Sequence, residues 1–197
     1  MKQEHRAATT EAYNKSALPL ANYYNTKSRV ADVKLALSYT KKADPQVVEI
    51  GCGNGRDARE VLKYTENYLG MDIAEEMINL ARASHPQAKF EVADITEYDI
   101  PACDVVLAFA SLLHVSPAEL EDIFRRLSQA ISPGGIVLLS LKEGKGSQWK
   151  EDEYGKRLFY LYTPESIKPL AKGFKTVYTD HQLLNGVKWF TQILRKK

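Results

Sequence analysis

The chain has 197 residues, enough for one domain that buries roughly 70% of its unfolded surface with no disulfide or metal staple. Lys and Arg total 27 against 25 Asp and Glu, and a formal charge of +2 is too weak a field to favour nucleic acid or an anionic membrane as a partner. The two cysteines, Cys52 and Cys103, lack CxxC spacing and clustered histidines, which argues against a disulfide framework or zinc site and for a reducing, cytoplasmic setting; no stretch approaches the ~18 apolar residues of a membrane span.

The predicted elements divide the chain into an N-terminal helical cover, residues 1–44, and a sheet-forming core, residues 45–197. In the cover, Tyr13, Ala17 and Tyr24 share a helical face that Pro19 interrupts, and Val30, Val33 and Leu37 form a second stripe. The core then alternates short apolar runs with helical patterns, as a parallel sheet covered on both faces requires. Val47 to Ile50 reads as the first strand. Ala58, Val61 and Leu62 give the spacing of a following helix. Tyr68 to Met71 is the second strand, Met77, Leu80 and Ala81 mark the next helix, and Phe90 with Val92 marks a third strand by alternation.

Asp104 to Phe109 is the fourth strand. Ser116-Pro117-Ala118-Glu119 then forms a capping box with proline at the first helical position, and Leu120, Ile123, Leu127 and Ile131 supply the helix's buried stripe. Ser132 to Gly135 reads as a turn into a central strand from Ile136 to Leu141, and Thr163-Pro164-Glu165 opens a short helix. Phe174 to His181 and Val187 to Leu194 flank Asn185-Gly186, the dipeptide of type I′ hairpins.

The chemistry concentrates in VEIGCGNGRD, residues 48–57, where three glycines follow a strand and open a helix. Such a turn lets backbone approach a ligand, and the helix N-terminus presents free N–H groups. A dinucleotide fingerprint would place its third glycine at position 56, which is Arg56, so a nicotinamide or flavin cofactor is disfavoured. Glu49 would repel a pyrophosphate and attract a cationic ligand. Asp72 stands about 20 positions on, where a ribose-binding acid belongs, although Asp72 with Glu75 also reads as a helix-capping pair. Asp94 ends the third strand beside the same crevice.

The pattern Glu49-x-Gly51-x-Gly53-x-Gly55, followed by an acid at the end of the next strand, resembles motif I of the class I S-adenosylmethionine-dependent methyltransferases. Tyr68 to Asp72, Val92 to Ile95 and Ile131 to Gly135 are similar to that family's later motifs. Ala108 to Val115, Ser140 to Gly144 and Tyr160 to Ile167 resemble small bacterial enzymes of the tellurite-resistance and thiol or chalcogen type. The resemblance implies a Rossmann-like three-layer α/β/α sandwich, with a seven-stranded, mostly parallel sheet and an antiparallel C-terminal strand. It further implies S-adenosylmethionine as cofactor, held by Glu49, Gly51, Cys52, Gly53, Gly55 and Asp57 in the first unit and by Asp72, Ile73 and Met77 after the second strand. Ala93, Asp94 and Ile95 would serve the adenine and Phe109 would join the cofactor site; Tyr13 and Tyr24 of the helical cover read either as closing over the cofactor or as core aromatics.

The acceptor is less defined. After the fourth strand, Phe109-Ala110-Ser111-Leu112 replaces the Asp/Asn-Pro-Pro-Tyr/Phe motif of amino-group acceptors in macromolecules, and no Pro-Cys pair provides a cytosine-attacking thiolate, so a small-molecule substrate is expected. Ser111 and His114 are the candidate catalytic residues, His114 as a base for a hydroxyl, thiol or nitrogen acceptor or as a residue bordering the next helix. Lys142, Arg157, Tyr160 and Tyr162 read either as a polar wall suited to an anionic small molecule or as a solvated loop. No metal ligand set is present. A nucleic-acid methyltransferase and a non-catalytic binding module are the alternatives that this pattern leaves open.

Overall fold

A computed structural model describes residues 2–197, with side chains from His5 onward. Its centre is a seven-stranded sheet built from β1 (Val47–Ile50), β2 (Tyr68–Asp72), β3 (Lys89–Val92), β4 (Cys103–Phe109), β5 (Ile131–Lys142), β8 (Phe174–Leu184) and β9 (Val187–Lys196). The order is β3-β2-β1-β4-β5-β9-β8; β1 to β5 pair in parallel and β9 runs antiparallel to both its neighbours. The strand order reverses between β1 and β4, and in such sheets the crevice at the carboxyl ends of the strands is where ligands enter.

Two apolar layers flank the sheet. One packs α3 (Val30–Ser38), α4 (Ala58–Val61) and α5 (Glu75–Ser84) through Val33, Ala36, Val61 and Ile78; the other packs α6 (Pro117–Ala130) and α7 (Pro164–Leu170) through Leu120, Phe124, Leu127 and Ile167. The expected sandwich, with its single antiparallel strand near the C-terminus, is therefore the observed one. The capping box forms: Ser116 Oγ accepts from Glu119 N while the Glu119 side chain accepts from Ser116 N. Asn185 and Gly186 take φ of 51° and 76°, the left-handed pair that a type I′ turn needs.

Several expectations shift. Pro19 does not break a helix, because it falls in the first turn of α2 (Ala17–Asn25), where its missing N–H has no intrahelical role; the break lies at Ser16, after α1 (Lys2–Lys15). The expected turn at Ser132 to Gly135 is instead the opening of β5, accommodated by a register shift between Cys103 and Val105 and by Gly134 at φ 77°, so Ile131 belongs to the strand rather than the helical stripe. The helix after the glycines is a single turn, α4. Val92 is exposed although Phe90 is buried, as β3 is an edge strand.

Between β5 and α7 the chain adds a hairpin that its charged sequence did not signal: β6 (Ser147–Asp152) and β7 (Gly155–Tyr160), a separate antiparallel pair. Helix α1 supports it. Leu158 N donates to Thr9 Oγ1 at 3.4 Å, and Gly155, at φ 99°, has Ala12 where a side chain would stand, its Cβ position lying 2.8 Å from that of Ala12.

Candidate active site

Of the expected donor-site and catalytic residues, all but one border a single cavity of about 1160 Å³ at the carboxyl ends of β1, β2 and β4, roofed by α1 and α2. Of the expected polar wall, Lys142 and Arg157 border it, whereas Tyr160 and Tyr162 do not, Tyr162 being buried with its hydroxyl on Val115 O. The donor-site exception is Gly55. Its missing side chain makes room for Ala81, His85 and Phe90, each 3.2 Å from a built Cβ, so its role is to pack α5 and β3 against the turn.

The other two glycines differ from it and from each other. Gly51, at φ 70°, lies so close to Ser111 that an added Cβ would stand 2.2 Å from the Ser111 Cβ. Gly53, at φ 55°, meets nothing within 4 Å and leaves an open face on the cavity. Its N–H donates to Asp72 Oδ2 at 2.9 Å, while Ala74 N donates to Oδ1 at 2.9 Å. Asp72 thus pins the turn to the β2 tip and also binds the backbone leading into α5, a bond close to the capping role expected of it. Burial draws its carboxyl upward against the backbone N–H groups of Ala74, Gly53 and Ile73.

Three acids crowd this end. Asp57 is held by Arg56, through Nε at 2.9 Å and Nη2 at 2.5 Å. Glu49 is only 1% exposed, and one of its oxygens accepts from Tyr68 Oη at 2.6 Å. Burial, then the nearby Asp57 charge, pushes the Glu49 carboxyl up to about 8. The Tyr68 bond was not anticipated, yet a glycine inside β2 signals it: Gly70 stands opposite Glu49, and a Cβ there would lie 2.8 Å from Tyr68 Oη. Cys52 contributes backbone; burial raises its thiol well above the ordinary range.

Asp94 is less free than expected. Thr96 N and Oγ1 donate to Oδ1 at 2.9 and 2.7 Å, and Arg6 Nη1 donates to Oδ2 at 2.9 Å. Arg6 also bonds Glu119, so one side chain of α1 ties the β3 tip to the start of α6. Ile73, Met77, Ala93 and Ile95 give this end its apolar walls; Phe109 also borders the cavity, as does Tyr24, whose hydroxyl hydrogen-bonds that of Tyr13.

At the opposite end, a 3₁₀ turn (Leu112–His114) follows β4. Ser111 Oγ donates to Ile50 O at 2.6 Å, a bond that holds the β4 loop against the glycine turn. Both His114 ring nitrogens are engaged. Nδ1 lies 2.6 Å from the Leu158 carbonyl and therefore carries the proton, which leaves Nε2 to accept from Tyr13 Oη at 2.9 Å. Burial lowers His114 to about 4, so the ring is neutral at pH 7. It borders the cavity beside Tyr13, whose hydroxyl occupies Nε2. Arg157 and Lys142 complete this end: Arg157 is 5% exposed and anchored on Asp152, and Lys142 Nζ lies 3.7 Å above the Phe159 ring.

Residues 47–135 match the family described as a methyltransferase domain. The chain is 29% identical over 130 residues to the trans-aconitate 2-methyltransferase of Sinorhizobium medicae, covering 65% of this chain and 50% of that one. It is 31% identical over 127 residues to the enzyme of that name from Variovorax paradoxus, covering 62% and 48%. The chain thus spans about half the length of the curated relatives it matches. Among solved structures, the Burkholderia thailandensis 1,6-didemethyltoxoflavin-N1-methyltransferase, bound to 1,6-didemethyltoxoflavin and S-adenosylhomocysteine, superposes with a TM-score of 0.80 over 100% of this chain and 91% of that one, at 19% identity.

Proposed function

We propose that this chain, which carries the methyltransferase domain of the class I S-adenosylmethionine-dependent enzymes, passes a methyl group from S-adenosylmethionine to a small-molecule acceptor. The observation that carries this reading is the concentration of Glu49, Asp57 and Asp72 around a glycine turn at the switch point, with Arg56 committed to Asp57. The fit is chemical. Buried Glu49 has one oxygen on Tyr68 and suits an ammonium; Asp72 spends part of its acceptor capacity on backbone and keeps the rest for vicinal hydroxyls; the open face of Gly53 admits a ligand chain against backbone. S-adenosylmethionine held there would supply a methyl on a sulfonium sulfur, displaced in line by the acceptor's lone pair to leave S-adenosylhomocysteine.

The residues need only align and deprotonate the acceptor, since orientation alone is worth on the order of 7–11 kcal/mol. Tyr13 is placed to receive an acceptor proton as its own passes to His114 Nε2, and the Leu158 carbonyl fixes the tautomer this requires. His114 and Ser111 act as positioning residues, His114 behind Tyr13 and Ser111 behind the glycine turn. Helices α1 and α2 serve as a lid. Cys52 and Cys103, both free and buried, suit a reducing cytoplasm, and no helix of the described residues is long and apolar enough to cross a membrane.

Calorimetry against S-adenosylmethionine, S-adenosylhomocysteine and NAD tests the donor site. Binding of the first two but not NAD is expected, and Asp72→Ala should weaken it by about 1–3 kcal/mol through lost charge-assisted hydrogen bonds. Unchanged affinity would reduce Asp72 to its capping role. Donor consumption across a panel of thiols, acids, metalloid oxyanions, small amines and oligonucleotides separates an enzyme from a binding module and a small acceptor from a nucleic acid.

A further inference from the structure

The cavity is polarised. The glycine-turn end holds the acids just described, whereas the end floored by β5 and the β6–β7 hairpin carries Lys142, Lys150 and Arg157. The acid nearest these cations is already spent: both Asp152 oxygens accept from Arg157 Nη2, at 2.6 and 2.7 Å, and Lys150 Nζ lies 2.7 Å from Oδ2. Glu153 borders the same space from the hairpin turn and hydrogen-bonds Tyr154. Lys142 has no carboxylate partner among the described residues, and its ammonium rests on the rings of Phe159 and Trp189 at 3.7 and 5.9 Å. Arg157 Nε is buried without a hydrogen-bond partner. A buried donor left unmade and a half-buried cation left unpaired are costly, and an anion would relieve both. Burial, reinforced by Lys150 and Arg157, draws the Lys142 ammonium down to about 8.

Phe159 gathers these groups. Its ring lies 3.7 Å from Lys142 Nζ, 5.8 Å from Arg157 Cζ and 4.7 Å from the His114 ring, so both cations flank the Tyr13–His114 pair. We infer that the methyl acceptor is an anionic small molecule whose carboxylate or phosphate group docks on Lys142 and Arg157 Nε while the atom to be methylated faces Tyr13. This rests on the methyl-transfer reading above and names its substrate class. The donor end is negative and receives a cation; the acceptor end is positive and receives an anion. An acceptor whose only charge is an amine would meet repulsion there.

The full chain, saturated with S-adenosylhomocysteine, is titrated with succinate, inorganic phosphate and uncharged succinamide. Succinate or phosphate should bind and succinamide should not, and whichever anion binds identifies the headgroup. Lys142→Met, a change at a half-buried cavity wall, should weaken the anion at least tenfold with S-adenosylhomocysteine affinity unchanged. Arg157→Lys, which keeps the charge beside Asp152 and removes the Nε donor, should weaken it less. The inference is overturned if neither anion binds, if succinamide binds as tightly, or if Lys142→Met keeps wild-type anion affinity. Retained S-adenosylhomocysteine binding in those cases sinks the acceptor class alone, whereas a protein that binds no S-adenosylhomocysteine sinks the methyl-transfer reading itself.

Discussion

The two ends of the cavity are made in opposite ways. The donor end comes mostly from one contiguous stretch, Glu49 to Ile95, in which each strand tip, turn and helix start follows the last, with Tyr24 and Phe109 added from outside it. The acceptor end is assembled from α1, the β4 loop, the tip of β5 and a hairpin, so the Tyr13–His114 bond joins residues 101 apart in sequence and the His114–Leu158 bond residues 44 apart. The first is fixed by local backbone geometry, the second by the docking of separate elements. A perturbation of the turn should therefore act on the donor site and the fold together, while one at the far end should change chemistry and leave donor binding in place.

The sharpest break of this contrast lies within the turn itself. Gly51→Ala adds a methyl group 2.2 Å from the Ser111 Cβ at a left-handed residue, and strain with overpacking should cost about 3 kcal/mol, read as a lowered Tm. Gly53→Ala meets no atom within 4 Å, so it should cost about 1 kcal/mol of stability, from its positive φ alone. Its methyl nevertheless enters the cavity, and S-adenosylhomocysteine affinity should fall at least tenfold. Equal stability losses in the two variants would show that the glycines are interchangeable and that the crowding at Gly51 relaxes freely.

Charge gives the donor end a pH dependence of its own. Burial above all, then the Asp57 charge, pushes the Glu49 carboxyl up to about 8, with Tyr68 and Arg56 pulling the other way. An ammonium placed against it favours the ionised form, so binding below that pH must release a proton. The affinity of S-adenosylhomocysteine should then rise by up to about tenfold per unit between pH 6 and 7.5, above which the ligand's own α-amino group begins to lose its charge. Calorimetry in buffers of different ionisation enthalpy counts the proton, and Glu49→Gln should abolish the slope. A flat profile in the wild type would mean that Glu49 is already ionised or does not meet the ammonium.

The same division governs what the sequence reveals. Gly51, Gly53 and Asp72 are legible because glycine spacing and an acid about 20 residues on report a strand–turn–helix–strand unit directly. Gly55 has the same spacing but faces α5 and Phe90, a difference set by side-chain packing that no local pattern encodes. The β6–β7 hairpin escapes notice because SQWKED and GKRLFY lack apolar alternation and depend on α1 for cover. Arg6 is invisible for a similar reason: its partners Asp94 and Glu119 lie 88 and 113 residues away. His114 could be selected by its place after β4. Its bond to Tyr13 could not, since that follows from where α1 docks.

The smallest expected effect is the one that tells most about the acceptor. Tyr13→Phe removes the donor to His114 Nε2 but keeps the ring, edge-on to the imidazole at 5.5 Å between centroids, so the fold should lose about 1 kcal/mol and donor affinity nothing. Its effect on turnover depends on whether the acceptor atom carries a proton. A thiol, hydroxyl or ammonium must lose one during transfer, and without the Tyr13–His114 path its kcat should drop roughly tenfold or more, with KM little changed. An ionised carboxylate oxygen has no proton to lose, and its methylation should proceed at nearly the wild-type rate in Tyr13→Phe while still requiring Lys142. Parallel assays with a mercapto acid and a simple carboxylic acid separate the two cases. If Tyr13→Phe left both rates untouched, the hydroxyl would only align α1 on the β4 loop, and the acceptor end would work by placement and charge alone.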